Sequence, residues 1–150
     1  MAEDCLFCKI AAGSIPSHKV YEDEAVVAFL DIRPLALGHT LVIPKRHAAR
    51  FEDLDAEAAA RLWKAVHKLS PHLLKAVQAS GSTLAINNGR EAGQEVGHVH
   101  VHVVPRFAGD AAGPIHSLAW KRPNVAADEL GKLAERVRRA VPMPGKPASV

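Results

Sequence analysis

The stretch Gly97-His98-Val99-His100-Val101-His102-Val103-Val104-Pro105-Arg106 decides how this chain is read. A period of two is that of a β-strand, so His98, His100 and His102 share one face while Val99, Val101 and Val103 point the other way, into a core. At a rise of ~3.3 Å per residue, successive imidazoles stand ~6.6 Å apart, within reach of one small anionic ligand. Chance can place two of the nine histidines at alternate positions. Three in strict alternation are wasteful as packing, because a buried imidazole requires a hydrogen-bond partner. The strand therefore reads as a site.

The rest of the chain bounds what that site serves. Its 150 residues, 48% of them hydrophobic, fit one domain with a full core. We assign 1–141 to that domain and 142–150, which begins Pro142-Met143-Pro144-Gly145-Lys146-Pro147, to a disordered tail. No apolar run approaches a membrane span, and Met1 to Lys9 lacks the form of a signal peptide, so a cytoplasmic protein with no membrane partner is expected. A formal charge of +3 suits a small anionic substrate and falls short of a nucleic-acid footprint.

Working outward from the histidines, Leu6 to Ala12 reads as a short helix stopped by Gly13. Lys19 to Tyr21 and Ala25 to Leu30 read as strands around an acidic turn, and Thr40 to Pro44 as a central strand. Asp55 caps a long helix, Ala56 to Ala79, that Pro71 is expected to kink or split and Gly81 to end. Thr83 to Ile86 is a further strand, and Ala126 to Ala140 a second helix. The result is an α+β domain: a mostly antiparallel sheet of five to six strands with two main helices.

Cys5 and Cys8 are the only cysteines. In a reducing compartment their Cys-x-x-Cys spacing favours a metal site or redox pair over a structural disulfide, the bland alternative being two small apolar residues beside a buried turn. One such pair supplies half of a tetrahedral zinc site, so two histidines must come from elsewhere. His18, His67, His72 and His116 carry no motif and read as solvated.

Taken with Gly93-Gln94, Cys5-Leu6-Phe7-Cys8-Lys9-Ile10, Phe29-Leu30-Asp31-Ile32 and Gly38-His39-Thr40-Leu41-Val42-Ile43-Pro44-Lys45-Arg46-His47, the triad resembles the histidine triad (HIT) nucleotide hydrolases and transferases. The resemblance spans Asp4 to Arg106, and it is the bacterial zinc-bearing members that the N-terminal half is most similar to. It implies a HIT-like domain hydrolysing or transferring at the α-phosphate of a purine, AMP-containing nucleotide through a covalent nucleotidyl-histidine on His100. It further implies that His102, His39 and His98 serve the catalytic site, with Asn87, Gly93 and Gln94 offering donors to phosphate. Asp31 is then the ribose contact, and Phe7, Phe29 and Ile32 shape the slot for the base. Structural Zn2+ is implied on Cys5, Cys8, His47 and His98, which would take His98 out of any proton relay. A two-fold homodimer is implied as well.

Two departures keep the substrate class open. Glu95 follows Gln94 where phosphoramidate-cleaving members carry serine, and Pro105-Arg106 is similar to the dinucleoside polyphosphate hydrolases. Two rival readings also stand: a nucleotide-binding or signalling module with little turnover, and a catalytic metal site built from all three strand histidines.

Overall fold

The computed structural model describes residues 3–113 and 122–142; His116 and nearly all of the expected tail lie outside them. Apolar residues at strand spacing assemble into five strands: β1 (Lys19–Glu22), β2 (Val26–Leu30), β3 (Thr40–Pro44), β4 (Gly81–Ala85) and β5 (Val101–Arg106). They form one sheet in the order β1-β2-β3-β5-β4, with every neighbouring pair antiparallel. The helices are α1 (Leu6–Ala11), α2 (Ala56–Val77) and α3 (Ala127–Ala140). This is the expected α+β architecture.

Each face of the sheet buries a different set of side chains. Val99, Val101 and Val103 join Val26, Ala28, Leu30 and Val42 against Leu62, Val66, Leu69 and Leu73 of α2 and Leu130, Leu133 and Val137 of α3. Fully burying a valine is worth roughly 1.5 kcal/mol or more, so the three together hold this segment firmly to the helices. On the opposite face a smaller cluster of Val27, Phe29, Leu41 and Ile43 packs with Phe7 and Ile10 of α1. The imidazoles emerge on that second face.

Several boundaries differ from the sequence reading, each for a visible reason. β5 begins at Val101, so His98 and His100 lie in the run into the strand rather than within it. The register Val42↔Val101 would bring Pro44 opposite Val99, and proline has no N–H to continue the ladder; Val99 N–H turns instead to the carbonyl of Ala48. The in-and-out alternation persists all the same. Helix α2 runs through Pro71 without being split, and both Pro71 and its i−4 neighbour His67 lie on the exposed side, where loss of one hydrogen bond is least costly. It ends at Gln78 in a left-handed conformation, and Gly81 opens β4 instead of closing the helix.

Gly38 brings the chain into β3 with φ +86°, and a Cβ there would stand 3.0 Å from Val77 Cγ1 and 3.2 Å from Pro105 Cγ. Left-handed strain and overpacking act together at this position. Gly38→Ala is expected to cost about 2–4 kcal/mol, read by denaturant unfolding; an unchanged midpoint would count against this account.

Asp23 shapes the β1–β2 turn by accepting the N–H groups of Ala25 and Val26 and the Tyr21 hydroxyl. Burial alone would raise its pKa, but these donors prevail and hold the carboxyl below its ordinary value. The folded state thus favours the carboxylate: its contribution is complete above pH ~4 and lost as pH falls through the lowered value. In acid titrations Asp23→Asn should flatten the fall of stability below pH ~4, whereas an identical slope would show that the turn does not contribute.

Candidate active site and zinc centre

Cys5 caps α1, its sulfur accepting the Cys8 N–H, so one helical turn delivers both sulfurs to the same place. His98 Nδ1 lies 3.4 Å from Cys5 Sγ and 3.5 Å from Cys8 Sγ, and His47 Nδ1 lies 3.3 Å from Cys8 Sγ. All four donor atoms fall within 4.8 Å of one another. Tetrahedral zinc with Zn–S of about 2.3 Å and Zn–N of about 2.0–2.1 Å sets sulfur and nitrogen about 3.6 Å apart, close to these separations. The donor set fits structural zinc.

His98 is prepared for that role. Its Nε2 is 2.8 Å from the carbonyl of Pro44 and must donate there, which turns the Nδ1 lone pair toward the sulfurs. Burial depresses its pKa, helped by neighbouring His47 and His100 and opposed by the Pro44 hydrogen bond, and the net lowering favours the neutral ring. His98 is thereby directed to the cysteines, and a metal site made of the three strand histidines is not what the geometry forms.

A second chain of hydrogen bonds orders the remaining imidazoles. His100 Nδ1 lies 2.7 Å from the His98 carbonyl and donates to it, leaving the lone pair on Nε2. Leu35 N–H donates to His39 Nδ1 at 3.0 Å, so the His39 proton is on Nε2. That nitrogen is 2.9 Å from His102 Nδ1, which accepts, and the His102 proton is therefore on its own Nε2. The His100 and His102 rings meet edge to face at 4.9 Å, and Phe7 packs against His100 at 5.1 Å.

His39, His100 and His102 line a cavity of about 720 Å³. Phe7, Phe29, Asp31, Ile32, Asn87 and Gly93 line it too. Gln94 does not: its amide holds the preceding loop, accepting Gly89 N–H and donating to the carbonyls of Ala49 and Val96. The N–H groups of Gly93 and Gln94 are likewise committed within that loop, to Arg90 and Gly89. Glu95 borders the cavity. Arg106 does not; it pairs with Asp110 and holds that carboxyl well below its usual range. Ser17, Arg122 and Asn124 also line the cavity, and no motif in the sequence marks them.

Residues 12–109 match the HIT domain family. The chain belongs to the HIT family. It is 46% identical over 121 residues to Protein hit of Bacillus subtilis, covering 80% of this chain and 81% of that one. It is 36% identical over 138 residues to the adenosine 5'-monophosphoramidase HNT1 of Candida albicans, covering 89% of each. A Zn-bound histidine triad family protein from Mycobacterium smegmatis superposes with a TM-score of 0.78 at 36% identity, covering 91% of this chain and 92% of that one. Among the described residues no helix is long and apolar enough to cross a membrane.

Metal analysis of the purified HIT protein should find about one zinc per chain. Cys8→Ser should release it and lower the melting temperature by several degrees. A metal-free wild type that melts at the same temperature with and without added zinc would refute the assignment.

Proposed function

We propose that this HIT protein is a nucleotide hydrolase acting at the α-phosphate of nucleoside phosphoramidates or dinucleoside polyphosphates, with His100 as nucleophile. The observation that carries the reading is the hydrogen bond from His100 Nδ1 to the His98 carbonyl, which puts the nucleophilic lone pair on Nε2 of a ring lining the cavity. Attack of Nε2 forms a bond to phosphorus as the bond from phosphorus to the leaving group breaks, and the leaving group departs with the electron pair and takes a proton from solvent, to which the attacking water of the second step returns one. Water then attacks phosphorus, the bond to His100 breaks with its electrons returning to Nε2, and the nucleoside monophosphate is released.

The His102 Nε2–H, fixed by His39, donates to the phosphoryl oxygens as charge builds on them. Asp31 takes the ribose, Phe7, Phe29 and Ile32 hold the base, and Asn87 and Gly93 flank the phosphate, with Gln94 fastening their loop. Cys5, Cys8, His47 and His98 would hold zinc, which would supply rigidity rather than chemistry, since His98 carries both a ligand nitrogen and the carbonyl that orients His100. The substrate we infer is an AMP-containing purine nucleotide, as the name of the Candida albicans relative supports. We further propose a cytoplasmic protein that pairs as a two-fold homodimer, the arrangement that the resemblance to HIT proteins implies.

With AMP phosphoramidates and diadenosine polyphosphates as alternative substrates, rapidly quenched protein should carry one adenylyl group on His100. His100→Ala should abolish the adduct and lower kcat/KM roughly 10³-fold or more. Full turnover by His100→Ala would overturn the mechanism, and AMP binding with no product from the wild type would favour a signalling module.

A further inference from the structure

Ser17 belongs to no motif, yet its Oγ is buried and has no hydrogen-bond partner among the described residues. An unmade hydrogen bond at a buried hydroxyl is destabilising, and such groups are rare in folded proteins. The location of this one suggests what completes it. Ser17 lines the large cavity together with Phe29 and Asp31.

Sheet register places Ser17 further. Lys19 stands opposite Phe29, and Leu30 N–H donates to the His18 carbonyl at 2.9 Å, so the next step of the antiparallel run brings Ser17 opposite Asp31. Asp31 uses Oδ1 to accept the Arg33 N–H at 2.8 Å. Its Oδ2 is 3.7 Å from His39 Nδ1, a nitrogen already accepting from Leu35 and so no donor to the carboxylate.

A carboxylate accepts hydrogen bonds and repels phosphate, while a serine hydroxyl both donates and accepts. Side by side, the two suit a neutral group rich in hydroxyls. We propose that Ser17 adds a second contact to the ribose site assigned above to Asp31, and that Ser17 makes the site selective for ribonucleotides over deoxyribonucleotides. This rests on the nucleotide reading of the same cavity and adds to it a specificity-determining residue.

Calorimetric titration of wild type and Ser17→Ala with AMP, 2'-deoxy-AMP and 3'-deoxy-AMP tests the pairing. Wild type should prefer AMP over at least one deoxynucleotide by about 3- to 10-fold, the range of a single neutral hydrogen bond, and Ser17→Ala should bring that ratio close to one. Thermal unfolding supplies a second readout: removing an unsatisfied hydroxyl should leave the melting temperature equal or higher. A ribose preference of the same size in both proteins, no such preference in the wild type, or a lower melting temperature for Ser17→Ala would each overturn the proposal while leaving the nucleotide reading in place. Failure of the wild type to bind any of the three nucleotides would instead bring down that reading, and this inference with it.

Discussion

Burial of Val99, Val101 and Val103 beneath α2 and α3 is the constraint on which the site depends. A segment with period two cannot turn one side chain without turning all of them, so anchoring three valines among the helices commits the intervening imidazoles to the opposite face. A slip of one residue would press three polar rings into the apolar core beneath the helices and put three valines where the cysteines and the cavity now meet imidazoles. The cost of that exchange is far larger than any local preference of the backbone, and this is why the alternation survives where the ladder does not.

Packing chooses a face for the histidines, and hydrogen bonds choose which nitrogen each presents. A carbonyl acceptor at Pro44 gives His98 a ligand nitrogen toward the sulfurs, and the His98 carbonyl gives His100 a lone pair on Nε2. The Leu35 N–H acts in the opposite sense, sending protons outward along His39 and His102. Three neighbouring imidazoles of identical intrinsic chemistry thus present different atoms: His98 an Nδ1 lone pair to the sulfurs, His100 a lone pair on Nε2, and His102 an Nε2–H. His98 links the two networks through one residue: its ring faces the cysteines and its carbonyl orients His100 at the cavity.

Much of this was legible in the chain because it is written in short-range periodicity. Alternating valines, the apolar stripe from Leu62 to Val77 and the Asp55 cap identify strand and helix without reference to anything distant. The departures from that pattern depend on surroundings that periodicity does not specify. Pro71 does not split α2, which carries it on its exposed side, and β5 starts late because its neighbour happens to present Pro44. Gln94 sits in a motif beside the triad, yet its amide is drawn off by carbonyls at Ala49 and Val96.

The sequence by itself determined the alternation, the Cys-x-x-Cys turn and the mixed α+β character, since each follows from spacings of two to four residues along one strand or helix. Only the tertiary structure decided that His47 and His98 meet Cys5 and Cys8, that His39 sets the proton of His102, and that Ser17 and Asp31 line one cavity. Those relations link residues 14 to 93 positions apart, and hydrogen-bond geometry between such groups exists only after strand order and register have closed the distance.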